Sequence, residues 1–186
     1  MTLQHVMLDN ETLGTRADSV IISIGAVKFD PYTSALDADG FYSSVSIDSN
    51  HEAGPRQVSE ATLNWWMGQS AAARRVFIEE KFTLRYALEQ LASFINDPDI
   101  EVWSNGASFD IALLEHAFDS FGIECPWSYR NTRCYRTIRK MAHRLVTPLP
   151  QNDNHHALAD ARHQARQLQH YFAALQGQAG QLQGAA

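Results

Sequence analysis

Residues 3–8 open the chain with Leu3, Val6, Met7 and Leu8, an apolar run that predicts a short, mostly buried β-strand. Two carboxylates follow it at alternate positions, Asp9 and Glu11. Side chains of an extended chain share a side every second residue, so these two acids face the same way. Residues 19–29 are rich in β-branched side chains and stop at Asp30-Pro31, which predicts a second strand closed by a turn. Residues 41–47 alternate as a third strand. The Asp- and Gly-bearing linker before them predicts an antiparallel hairpin of strands two and three.

The period then changes from two to between three and four. Ser59 is placed to cap a helix reaching Met67, with Leu63, Trp66 and Met67 on one inward face and Trp65 off it. A second short helix is expected from Ser70 to about Glu79. Residues 83–95 repeat apolar side chains at three and four and predict an amphipathic helix, ended by Asp97-Pro98-Asp99. Residues 100–104 read as a fourth strand turned by Asn105-Gly106, and Ser108 as the cap of a helix to about Phe121. Residues 133–145 predict a helix with Cys134, Ile138, Met141 and Leu145 inward. Residues 156–175 predict a last one, with Leu158, Ala161, Ala165, Leu168, Phe172 and Leu175 inward. From Gln176 the chain is rich in Gly, Gln and Ala, which predicts a disordered tail over 176–186 after a single domain over 1–175. Strands followed by helices and further strands, without an internal repeat, make an α/β sheet domain.

Composition narrows the partners. With 186 residues, 45% of them hydrophobic and 19% charged, the chain is long enough to bury a real core as one domain. Its formal net charge of −6 removes any general attraction for a polyanion, so nucleic acid would need a local basic patch or bound metal. Cys125 and Cys134 lie nine apart, a spacing that fits neither a zinc site nor a disulfide framework, and a reduced, cytoplasmic setting is expected. The start lacks a basic n-region and an apolar h-region, and no apolar run approaches the ~20 residues that span a bilayer. Neither a secretion signal nor a membrane partner is expected.

Four acids carry the candidate chemistry. Asp9 and Glu11 at the end of a core strand repel each other and call for a positive neighbour, although an isolated D-x-E is commonly just an acidic turn. Asp110 sits in the first turn of its helix, where a carboxylate complements the positive helix end. Asp160 lies between Leu158 and Ala161, close to the buried side, where an unpaired charge is costly and Arg162 or Arg166 would be its ordinary partner.

Taken together, Asp9-Asn10-Glu11-Thr12, then Asn105 with Phe109-Asp110, then His155-x4-Asp160 resemble the DEDD superfamily of 3′-to-5′ exonucleases, in the subgroup with a histidine in the third motif. Ribonuclease T, oligoribonuclease and proofreading exonuclease subunits are similar. The paired tryptophans of Thr62-Leu63-Asn64-Trp65-Trp66, with Gln69-Ser70 behind them, resemble a smaller bacterial and phage branch. The resemblance implies a ribonuclease H-like fold, a mixed central sheet of antiparallel and parallel strands flanked by helices. It also implies hydrolysis at single-stranded 3′ ends or overhangs of DNA or RNA, releasing nucleoside 5′-monophosphates with two Mg²⁺ or Mn²⁺ ions. Asp9 would bridge the ions, Glu11 and Asp160 would complete the one that serves the attacking water, and Asp110 would serve the other.

Two histidines compete as general base. His156, four residues before Asp160, would stack above it on a helix face. The family spacing selects His155, just outside the helix start, and leaves His156 a packing or solvent role. By the same resemblance Thr12 and Leu13 would touch the terminal nucleotide. Trp65, off the inward face of its helix, is the candidate for stacking on a base, with core packing as the alternative for both tryptophans, and Phe109 either stacks or packs beneath the site. Arg130, Arg133, Arg136, Arg139, Lys140 and Arg144 fall in a segment without an acid. Arg136, Lys140 and Arg144 form a stripe that is either a phosphate track or a solvated helix face. Similar enzymes are often homodimers, with the basic helix and the tryptophan segment as alternative interfaces. An RNA-trimming enzyme and a catalytically silent nucleic-acid-binding domain stand as the alternative functions.

Overall fold

The computed structural model describes residues 3–150 and 155–184, with side chains described as far as residue 177. Five strands form one mixed sheet in the order β3-β2-β1-β4-β5. They are β1 (His5–Thr12), β2 (Ile21–Phe29), β3 (Phe41–Ser44), β4 (Glu101–Ser104) and β5 (Thr132–Cys134). The β1–β2 and β2–β3 pairs are antiparallel, and β1–β4 and β4–β5 are parallel. Five α-helices cover it: α1 (Glu60–Met67), α2 (Leu84–Ile95), α3 (Asp110–Ser120), α4 (Tyr135–Ala142) and α5 (Ala157–Gly184). Among the described residues no helix is long and apolar enough to cross a membrane.

β1 is the central strand, and its alternation sorts the molecule into two layers. Val6 and Leu8 face a core built with Leu88 and Leu91 of α2 and Leu114 and Phe118 of α3. Met7 faces the opposite core, built with Ala161, Ala165, Leu168 and Tyr171 of α5 and Tyr135 of α4. A strand covered on both faces reads as a continuous apolar run, as residues 6–8 do. By the same alternation Asp9 and Glu11 continue the α5 side, while Asn10 continues the α3 side.

Several elements differ from the pattern-based expectation. β1 runs on through Thr12, so the two acids lie within the strand and not after it. Residues 132–134 pair with Val102, Trp103 and Ser104 as β5, and the helix begins only at Tyr135; three residues are too few to register a period of two. The segment from Ser70 holds a short 3₁₀ turn, Ala73–Phe77. α3 is entered through Phe109 and not through a Ser108 cap. On α1 only Trp66 is buried; Leu63 and Met67, expected inward, are 39% and 73% exposed, because the helix reaches the core through Trp66. Met141 on α4 is likewise exposed. The Gly- and Gln-rich residues after Gln176 continue the backbone of α5 to Gly184 where a disordered tail was expected, since Gln and Ala are good helix formers.

The approach of α5 to the sheet depends on one glycine. Gly25 is the cross-strand partner of Asp9, and a Cβ there would lie 2.2 Å from the backbone carbon of Ala157 and the nitrogen of Leu158. The start of α5 therefore rests on bare backbone. Gly25→Ala should push α5 off the sheet, lowering stability by about 1–3 kcal/mol as overpacking does. Urea denaturation checks this, and an unchanged midpoint would show that α5 is not seated on Gly25.

Candidate active site

β1 and α5 bring Asp9, Glu11 and Asp160 together from opposite ends of the chain, and α3 adds Asp110 from its middle. Asp9 and Glu11 project from β1 toward the start of α5, and Asp160 and Gln164 occupy the first turns of that helix, four apart on one face. Gln164 Nε2 donates to Asp9 Oδ1 at 2.7 Å. From the other side of β1, the Asn10 amide N–H donates to Asp110 Oδ1 at 3.3 Å, and Asn10 Nδ2 donates to the Asp110 carbonyl at 3.2 Å. Asn10 thus ties the first turn of α3 to the strand that carries the other two acids. Glu11, Asp110 and Asp160 are all buried, and Asp9 is partly so.

The two histidines separate cleanly. His155 lies outside α5 with a left-handed backbone, φ 43°, a conformation that a non-glycine residue adopts only under local constraint. Its ring offers a nitrogen within 4.8 Å of carboxylate oxygens of both Glu11 and Asp160. It packs edge-on against Trp65, with ring centroids 4.9 Å apart. His156 turns the other way. Its ring stacks on Tyr42 at 4.3 Å, its Nδ1 accepts from the Ala159 N–H, and its own N–H donates to Asp160 Oδ2 at 3.1 Å. These exchanges cap the start of α5.

Burial and crowding set the electrostatics. Asp9 is pushed well above the usual carboxylate range, first by burial and then by Asp110, Glu11 and Asp160, with the Gln164 amide offsetting part of it. Glu11 is raised to about 8 by burial, then by Asp160 and Asp110. Asp110 is raised to about 7 by burial, against the opposing pull of the Asn10 donors and the Arg136 charge. Oxygen ligands and one imidazole, without a thiolate, suit a hard divalent cation. A cluster whose acids resist ionising together gains most from one.

A cleft of about 450 Å³ opens beside the acids, lined by Glu11, Thr12, Thr62, Trp65, Trp66 and Phe109 among others. Trp65 is 45% exposed at its wall, and Phe109 is half-buried, one side on the core. Thr12 reaches the cleft, its hydroxyl donating to the Gly14 carbonyl and its carbonyl accepting from Trp66 Nε1 at 2.9 Å. Leu13 does not: its side chain packs with Val20, Ile22 and Trp66 in a third core cluster. The β1–β2 register shifts between Glu11 and Thr12, which breaks the strict alternation and turns Leu13 inward. Arg136 leaves the expected stripe and donates to the Asn105 carbonyl at 2.7 Å, at the turn that leads into Asp110. Gln164 and Asn10 were not anticipated from the motifs. The spacing of Gln164 from Asp160, one helical turn, was the available signal.

A family model described as the 3′-5′ exoribonuclease Rv2179c-like domain matches residues 4–172. The exodeoxyribonuclease of Enterobacteria phage T4 is 25% identical over 156 residues, covering 70% of this chain and 68% of its own. E. coli exonuclease I in complex with a dT13 oligonucleotide aligns with a TM-score of 0.62 at 14% identity, over 89% of this chain and 40% of that one. The chain thus spans less than half the length of exonuclease I. Cell-death related nuclease 4 aligns with a TM-score of 0.55 at 12% identity, over 92% of this chain and 64% of that one. At such identities the structural likeness is one of fold, and that fold is ribonuclease H-like.

The raised carboxyls carry a consequence for stability. An unfolded chain titrates Glu11 and Asp110 near pH 4, whereas the folded chain holds their protons to about 8 and about 7. The folded state binds more protons in that window, so these groups destabilise the metal-free protein increasingly as pH rises through it. Chelator-treated protein should therefore lose melting temperature between about pH 5.5 and pH 8.5, and Glu11→Gln should reduce that loss. A divalent cation should restore stability chiefly at the upper pH. Equal pH slopes for wild type and Glu11→Gln would contradict the electrostatic account.

Proposed function

The chain belongs to the 3′-5′ exoribonuclease Rv2179c-like domain family of 3′-5′ exonucleases, and from that premise we propose that it trims single-stranded 3′ ends or overhangs, releasing nucleoside 5′-monophosphates. The observation that carries this reading is the convergence of Glu11, His155 and Asp160 within 4.8 Å, beside Asp9, at the edge of a cleft walled by an exposed tryptophan.

Asp9, Glu11, Asp110 and Asp160 would hold two divalent ions, Mg²⁺ or Mn²⁺. Such ions supply Lewis acidity that makes water nucleophilic near neutral pH and offsets charge on the phosphoryl and leaving oxygens. The protein's own groups do the rest. His155 takes a proton from the attacking water, whose oxygen adds to phosphorus. The bond from phosphorus to the 3′-oxygen of the preceding nucleotide breaks, and that oxygen takes a proton from solvent water as it leaves. Trp65, packed on the His155 ring, keeps the base from swinging freely. Gln164 holds Asp9 and Asn10 holds Asp110, so neither acid must reorient during turnover. Trp65 and Phe109 flank the space for the terminal base, Thr12 borders it, and Arg136 at the rim offers charge to a phosphate.

The family description names RNA and the phage relative DNA, and contacts to a 2′-hydroxyl would separate the two. Hydrolysis of 5′-labelled RNA and DNA oligonucleotides with Mg²⁺, Mn²⁺ or chelator tests the reading. Stepwise shortening that requires a divalent ion is expected. Activity in chelator, or none on either polymer, would overturn it.

Asp9→Ala should abolish shortening while the folded circular-dichroism spectrum persists. His155→Ala should lower kcat by about 10²–10⁴-fold, the usual contribution of a general base, and by more than His156→Ala does. The reverse ranking would transfer the base role to His156. Trp65→Ala should raise KM for single strands by about 5–100-fold, the range of a lost base stack. An unchanged KM would remove Trp65 from the base site.

A further inference from the structure

A separate cavity of about 390 Å³ lies between α4 and α5, lined by none of the four acids. Tyr135 and Arg139 on α4 and His143 at its C-cap recur every four residues; on α5, His163, Gln167 and Tyr171 do the same. The two stripes face each other across the gap. Tyr135 and Tyr171 stack at 6.3 Å, and the Arg139 guanidinium sits 5.9 Å from the Tyr135 ring. Lys140 also lines the cavity.

Gln167 is the unusual member. It is 1% exposed, and its Oε1 accepts the Leu149 N–H, which fixes the orientation of the amide. Its Nε2 then has no acceptor among the described residues. A buried donor with no acceptor is costly unless a ligand provides one. The lining contains an arginine, a lysine and a fixed amide donor, and no carboxylate, on a chain of formal charge −6. Pro148 and Leu149 add an apolar wall. The chemistry is that of an acceptor-rich anion with a less polar body attached.

We propose that this cavity is a second nucleotide site, holding a nucleoside phosphate with its phosphate toward Arg139, Lys140 and the Gln167 amide. The volume is that of a small-ligand pocket. A neighbouring groove of about 520 Å³, lined by Arg162 and Arg166 among others, shares Leu149 and His163 with it. That groove meets, at Ala159 and Arg162, the cavity beside His155. Arg162 and Arg166 thus place basic side chains between His155 and the second site. The nucleotide is either an upstream unit of the substrate strand or a released monophosphate. The cavity's ligand chemistry stands without the exonuclease reading, and only the source of the nucleotide rests on it.

Calorimetric titration of the full chain with adenosine 5′-monophosphate, in chelator, tests the site directly. Wild type should bind one equivalent. The double variant Arg139→Ala/Lys140→Ala should bind at least about tenfold more weakly, as expected for lost charge-assisted hydrogen bonds. Gln167→Met, which keeps the volume and removes the donor, should weaken binding in the same direction, and Trp65→Ala should not. Unchanged affinity in the double variant and Gln167→Met, or loss only in Trp65→Ala, would overturn the proposal. With a divalent cation added, KM for a dinucleotide should be the same in wild type and double variant. A fall of KM with strand length that disappears in the double variant assigns the site to the strand. Lost monophosphate binding with an unchanged length dependence assigns it to the product. Wild-type protein that binds the monophosphate here but shortens no strand would count against the exonuclease reading and leave this site standing.

Discussion

Four carboxylates can be held together only if something stronger than their repulsion presses their supports together. Here that is the packing of α5 across β1 and β2. Ala161, Ala165, Leu168 and Tyr171 bury against Met7, Val27 and Phe29, and Gly25 lets the first turn of the helix touch sheet backbone. Apolar burial of this kind contributes roughly 25 cal/mol per Å² and does not weaken when neighbouring acids ionise. The small alanines matter as much as the large side chains, because they set a short distance between helix and sheet. Asp160 and Gln164 are carried to Asp9 by a face of the helix that has no part in the chemistry.

The same constraint explains why the site was legible in the sequence to the extent that it was. Alternation past the apolar run of residues 3–8 put Asp9 and Glu11 on one side, and the helical period of residues 156–175 put Asp160 beside the inward alanines. Those are local rules that tertiary contacts reinforced. What local rules missed were features created by contact between segments. β5 exists because residues 132–134 meet β4, and Leu13 turns inward because a bulge interrupts the register at Glu11. Asn10 reads as a polar interruption in a strand until Asp110, one hundred positions later, is seen to need its two donors. Arg136 and Lys140 looked like members of one stripe, yet one reaches the β4–α3 turn and the other faces α5. A helix of eight residues presents more than one face, and only its neighbours decide which face does what.

The contrast between His155 and His156 shows how one peptide unit can divide structure from chemistry. His156 has satisfied backbone and ring contacts, and its exchanges with Ala159 and Asp160 fasten the helix start. His155, one residue earlier, has a left-handed backbone that turns its ring out of the helical path toward Glu11, with Trp65 as its lateral support. Capping thus orients Asp160 and releases His155 in the same stroke. A shift of the helix start by one residue would exchange these roles, which is why the seat of α5 on Gly25 matters to chemistry as well as to stability.

α5 also divides the molecule electrostatically. The face bearing Asp160 and Gln164 looks onto carboxylates that need cations, while the neighbouring stripe, His163, Gln167 and Tyr171, looks onto Arg139 and Lys140, which need an anion. The two stripes are about 60° apart on the helix, so one rigid element presents opposite demands to its two sides. Under the proposed function, a polyanion would meet both demands at once if the second site takes the strand, with its terminal phosphate near the acids and a more distant phosphate near the bases. In an acidic chain that attracts nucleic acid poorly from afar, such a two-point contact would supply the grip that net charge withholds.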